Sequence, residues 1–246
     1  MKSAIIARTG LLVLTAGFVF QPQWFVGFLA PFARNNAPAI YSQNSLLVLT
    51  VNHLMLVAVA TASATIIAVT LGILATRPKG REFLPLSRAI ANMGQTFPPV
   101  AVLAIAVPIF GFGAVPAFIA LLLYGLLPIF ENTLAGLTEL DPVVTDAGRG
   151  MGMTDRQLLW YVELPLALPV IVSGIRLTAI ISLSTATIGS TVAASTLGEV
   201  ILAGLLSGNT AFVLQGGLIV AALAILLNAG FMFCEQRLRR GLVRDA

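Results

Sequence analysis

Between Thr145 and Pro165 the chain reads TDAGRGMGMTDRQLLWYVELP, a polar interruption in otherwise apolar sequence. The spacing there is suited to docking rather than to catalysis. Asp141 can cap a short helix with Pro142 at its first position, where a missing N–H costs nothing. Gly150 and Gly152 end that helix. Thr154 opens a second, and Gln157 three residues on completes a capping box. The second helix shows Leu158, Leu159, Tyr161 and Val162, sets Trp160 at a membrane-interface level, and stops at Leu164-Pro165. A short, stiff, amphipathic element of this kind either lies along lipid headgroups or seats its apolar side on a partner. Local chemistry leaves both open.

Reactive side chains elsewhere are sparse. Asn92, Gln95 and Thr96 stand beside Phe97-Pro98-Pro99, where consecutive prolines predict a bend. Gln95, Thr96 and Pro98 then line a polar cavity or merely pack a kinked helix. Tyr124 can offer its ring face to a quaternary ammonium or pack between helices. Arg176, inside an apolar run, lines an inner gate or snorkels to the headgroups. His53 reads as a packing or interfacial residue. One histidine and one cysteine, Cys234, supply neither a disulfide nor a Cys-based metal site, and the groupings a membrane-embedded enzyme needs are missing. The lysines are Lys2 and Lys79, and no G-x-x-x-x-G-K-[ST] phosphate loop exists.

The elements that position these residues are written in hydropathy. The 246 residues are 58% hydrophobic and 10% charged, with a mean hydropathy of +0.96. Soluble domains carry about a quarter charged residues, and long apolar runs require a bilayer. Short alternating segments of a β-barrel are not visible. The fold class is an all-α polytopic membrane protein of about six transmembrane helices: Ile5–Phe20, Leu46–Ala75, a bent span within Leu84–Gly111, Val115–Phe130, Leu166–Val192 and Ala211–Phe233. Ala, Ser, Thr and Gly enrich the second span and allow close helix approach. The first helix is expected to be retained, because no small-residue cleavage site follows QPQW. Placing both termini in the cytoplasm puts Lys2, Arg8, Arg77, Lys79, Arg81, Arg88, Arg149, Arg156, Arg237, Arg239, Arg240 and Arg244 inside and Arg34 outside, as basic-residue asymmetry requires. The net charge of +4 is therefore a topology signal, not a nucleic-acid face.

The polar interruption resembles the coupling motif of permease subunits of ATP-binding-cassette (ABC) importers, written E-A-A, three residues, Gly, nine residues, Ile-x-Leu-Pro. Here Asp146-Ala147-Gly148 is followed after three residues by Gly152, and after nine more by Val162-Glu163-Leu164-Pro165. GQTFPPVAVLAIAVPIFGFG, LYGLLPIFENTLAGL, VELPLALPVIVSGIR and ASTLG look like permeases for osmoprotectants such as glycine betaine and choline. VAASTLG in place of the frequent GAGGLG is similar to the low-affinity branch.

The resemblance implies a type I ABC importer permease fold. Residues 1–43 would hold the first helix and an extracytoplasmic segment, 44–234 the transport domain with coupling loop 138–165, and 235–246 a cytoplasmic tail. It implies a motif of Asp146, Ala147, Gly148, Gly152, Val162, Leu164 and Pro165. Thr154, Asp155, Arg156, Gln157, Leu158, Leu159 and Tyr161 would form the contacts of the coupling helix. The implied partners are a separate ABC ATPase that binds ATP and Mg, a second permease, identical or sister, and a periplasmic or lipid-anchored solute-binding protein. This chain would hold no cofactor or metal, perform no hydrolysis and sit in the bacterial inner membrane. Two alternatives stand beside it: import of another small solute such as an amino acid, and an ion-coupled secondary transporter. The latter usually needs titratable groups at membrane depth. Nine of the ten acidic residues instead fall in cytoplasmic segments or at their margins, and Glu199 falls in the outer loop.

Overall fold

A computed structural model describes residues 2–33 and 37–244. Arg34, the basic residue assigned to the outer side, lies outside them. Among the described residues the structure is helical, without strands. Helix α1 is Lys2–Phe20, α2 Leu46–Thr76, α3 Leu84–Thr96, α4 Pro99–Phe110 and α5 Ala114–Thr138. Two short helices follow, α6 (Pro142–Gly150) and α7 (Asp155–Leu158), then α8 (Leu164–Thr185), α9 (Gly198–Ser207) and α10 (Thr210–Arg244).

By length and apolarity, Leu46–Thr76, Ala114–Thr138, Asp155–Val192 and Thr210–Leu238 can each cross a membrane. Taking each of two bent pairs as one span gives six among the described residues. Ile6–Phe20 turns by 108° into Pro22–Phe32, and Arg81–Thr96 turns by 93° into Pro99–Phe110. The second bend falls at the predicted prolines: Pro98 is the N-cap of α4, and Pro99 begins it. Hydropathy alone predicts no helix over 21–44 and an end of the sixth span at Phe233. The structure has helical turns over Pro22–Phe32, and α10 continues to Arg244. Helix α9 was not anticipated either.

Contacts gather in two compact units. One comprises Met1–Ala60, Phe97–Leu121 and Ala179–Ala229. Its core joins Leu29, Leu49, Leu121, Leu183, Leu197 and Ile219. His53 is fully buried and donates from Nε2 to the Leu183 carbonyl at 2.9 Å, one of the carbonyls that the end of α8 leaves open. Residues 37–45 are strapped down by polar bonds. The Tyr41 amide donates to Gln215 Oε1 at 2.9 Å, its hydroxyl donates to Glu199 Oε1 at 2.7 Å, and Asn209 donates to the Pro38 carbonyl at 2.9 Å. Burial, with the Glu199 carboxylate beside it, holds the Tyr41 phenol well above its ordinary pKa.

The other unit comprises Thr61–Thr96, Leu122–Thr178 and Gly230–Ala246. Small residues set its helix spacing, as the composition of the second span foretold. A methyl group on Gly94 would lie 1.9 Å from the Leu123 carbonyl oxygen, so α3 can rest on α5 only where Cβ is absent. On Gly125 it would meet Thr178 of α8 at 2.7 Å and Ala64 of α2 at 3.3 Å. Ion pairs then tie helices together: Arg77 to Glu163 at 2.6 Å, Arg88 to Glu131 at 2.6 Å and Arg176 to Glu235 at 3.1 Å.

Candidate coupling loop

The loop between α5 and α8 is built by its caps. Asp141 accepts from the Val143 amide at 2.9 Å, with Pro142 opening α6. At the other end Met153 N–H reaches back to the Gly148 carbonyl at 3.2 Å, and Gly152 N–H to the Arg149 carbonyl at 2.9 Å. These paired bonds form a Schellman motif, which needs a left-handed residue just past the helix. Gly152 is that residue, with φ of +82°. Thr154 then caps α7: its hydroxyl accepts from the Gln157 amide at 3.3 Å, and Gln157 Oε1 accepts from the Thr154 amide at 2.9 Å. Replacing Thr154 by Ala should remove about 1 kcal/mol of local stability. Hydrogen exchange at the Gln157 and Leu158 amides would then speed about fivefold, and Thr154→Ser should restore protection.

The two short helices clasp each other at Leu158. Leu158 is 1% exposed, and its Cδ1 would lie 2.7 Å from a methyl group on Gly148, itself buried. The notch explains why glycine is suited to that motif position. Leu159 packs on the cluster of Leu137, Ala167 and Ile171. Leu158 thus serves its own chain, whereas Leu159 stays half-buried. The large apolar side chains the loop exposes most are Tyr161, Trp160, Met151 and Val143, each at least 66% exposed, and Thr154, Asp155, Arg156 and Gln157 are exposed with them. Asp146 and Ala147 are exposed on α6, and Asp146 lies 3.9 Å from Arg149.

Leu164-Pro165 does not stop the helix. Leu159–Glu163 forms a π turn, and the Leu164 amide reaches the Leu159 carbonyl. Pro165 has no N–H for the carbonyl four residues back, and its ring would press on it. Widening the turn by one residue relieves both faults and lets α7 run into α8. Val162 sits half-buried in that turn. Glu163 beside it is buried and held by Arg77, which also donates to Thr76 Oγ1 at 3.1 Å. The sequence alone does not show this anchor, although a carboxylate in an otherwise apolar VELP signals one.

Of the five side chains considered for a solute path, three sit together at one helix break, and Tyr124 lies on the helix that Gly94 of α3 rests against. Gln95, Thr96 and Pro98 are exposed at the α3–α4 break, and Tyr124 is half-buried on α5. Arg176 keeps 27% of its side-chain surface exposed and is paired. It is clamped between Glu235 and the Ser173 hydroxyl, 3.2 Å away.

Apolar spans joined by a stiff, twice-capped loop with an exposed apolar face are the build of a membrane transport subunit. The chain belongs to the family of binding-protein-dependent transport system inner membrane components, matched over residues 68–241. It is 37% identical over 228 residues to the osmoprotectant import permease protein OsmY of Salmonella typhimurium, covering 93% of this chain and 92% of that one. It is 35% identical over 193 residues to the choline transport system permease protein OpuBB of Bacillus subtilis, covering 78% and 88%. An inward-facing structure of the MetNI methionine ABC transporter matches with a TM-score of 0.65 at 24% identity, covering 82% of this chain and 99% of that one. The fold is that of a type I ABC importer permease.

Proposed function

We propose that this chain is the membrane-spanning subunit of an ATP-driven importer of osmoprotectants, quaternary amines such as glycine betaine and choline. The coupling loop carries the reading. Caps at both short helices, a left-handed Gly152 and the Gly148–Leu158 clasp make an element stiff enough to transmit displacement, and Trp160, Tyr161 and Met151 give it an apolar face to seat. A separate ATPase subunit binds ATP and Mg, hydrolyses the nucleotide and receives this face. The π turn and α8 carry its movement into the spans. A second permease completes the pore, and a periplasmic or lipid-anchored binding protein delivers solute. Both termini and residues 138–165 face the cytoplasm of a bacterial inner membrane.

The test is uptake of labelled choline and glycine betaine by cells with and without the partner ATPase. Uptake should vanish without the ATPase and persist when ion gradients are collapsed at constant ATP. Accumulation that follows the gradients and ignores the ATPase would establish a secondary transporter instead.

A further inference from the structure

Helix α3 has three different sides. Its buried residues are Ser87, Ala91 and Gly94, a narrow stripe at helical spacing that rests on its own unit. Leu86, Ile90 and Met93 form an exposed apolar side. Arg88, Asn92 and Gln95, at i, i+4 and i+7, form an exposed polar side. Glu131 of α5 closes the polar side with a bidentate bond: Arg88 Nε donates to Oε1 at 2.6 Å and Nη2 to Oε2 at 2.9 Å. The two side chains keep 51% and 39% of their surface exposed. Sequence alone sets Arg88 and Glu131 at the cytoplasmic margin, but both fall within elements that can span a membrane, Arg81–Thr96 with its bent partner and Ala114–Thr138. At the cytoplasmic end of such spans an ion pair that open cannot face hydrocarbon and turns to water-filled or protein-lined space, where such residues mark solute paths.

We propose that the polar side of α3 lines a water-filled stretch of the translocation path, and that the Arg88–Glu131 pair is its charge filter. This rests on the reading above that the cargo is a quaternary amine. Choline is a cation, and glycine betaine adds a carboxylate to the same head. Paired, Arg88 and Glu131 present no net charge, so both pass. Glu131 alone would hold a cation, and Arg88 alone would repel it and attract a carboxylate. One unit charge about 5 Å from the cargo changes occupancy about fourfold even at the dielectric of bulk water.

Two measurements on the intact importer test this. The first needs no knowledge of the cargo. Replacing Cys234, the chain's one cysteine, by Ser gives a background for single cysteines at Asn92, Gln95, Ile90 and Met93. A membrane-impermeant cationic thiol reagent, applied to inside-out vesicles, should label Asn92→Cys and Gln95→Cys at least tenfold faster than Ile90→Cys and Met93→Cys. Equal rates, or a silent polar side, would overturn the wet stripe. The second is the ratio of choline to glycine betaine uptake. Glu131→Gln should lower it at least threefold, Arg88→Gln should raise it by a similar factor, and the double variant should return towards the parent. Shifts of both single variants in one direction, or a loss of uptake with no change of ratio, would reduce the pair to a packing clamp. A parent that imports neither amine would refute the cargo and with it the filter, while the labelling pattern would still decide the stripe.

Discussion

Gly152→Val should abolish most uptake while leaving the amount of protein in the membrane unchanged. No atom lies within 4 Å of the methyl group a side chain would add there, so crowding plays no part. The cost is in the backbone. At φ of +82°, a non-glycine residue is strained by about 1–2 kcal/mol, and a β-branched one by more. Escape to negative φ breaks the two bonds that end α6 and withdraws Gly148 from Leu158. At about 1.4 kcal/mol per tenfold, a strain of 2–3 kcal/mol leaves about one loop in a hundred correctly set. Gly150 is the control: it also has open space around it but lies within α6, so Gly150→Ala should be harmless. Asn tolerates the left-handed region, and Gly152→Asn should keep much of the activity. Measured as uptake per permease in the membrane, the expected order is Gly150→Ala, Gly152→Asn, Gly152→Val. Normal uptake by Gly152→Val would remove the stiff loop from the mechanism.

What the sequence disclosed, and what it hid, divides along range of interaction. The Asp141 cap, the Thr154–Gln157 box and the left-handed Gly152 are each decided within a few residues, so their letters suffice. The bend at Pro98-Pro99 belongs to the same kind. The spans were legible because lipid imposes one length and one composition on all of them. Pro165 misled because its local rule, that proline ends a helix, has a second solution in which the turn widens and the helix survives. The partners of Arg176 and Arg88 were hidden for another reason. Glu235 and Glu131 are separated from them by 59 and 43 positions, and nothing in composition says which helices touch. Leu158 shows the same limit at short range. Its letter fits an outward apolar face, and only the absence of a Cβ at Gly148 turns it inward.

Breaking the Arg77–Glu163 pair should damage the protein asymmetrically. Glu163 is buried, its side chain retaining 10% exposure, and Arg77 retains 26%. Removing Arg77 leaves a carboxylate without its cation in the π turn where α7 joins α8. Such a loss costs about 3–5 kcal/mol when the pair is fully buried, and about 2–3 kcal/mol once discounted for the solvent that reaches Arg77. Removing Glu163 instead frees an arginine that can turn towards water on its long stem, a change nearer 1 kcal/mol. Arg77→Gln should therefore lower the unfolding midpoint in detergent more than Glu163→Gln. The double variant, with no stranded charge, should be more stable than Arg77→Gln alone. Uptake should follow the same order, because the pair holds the turn that joins the loop to α8. A cycle in which the two effects simply add would show that the ion pair, despite its 2.6 Å separation, holds nothing in place.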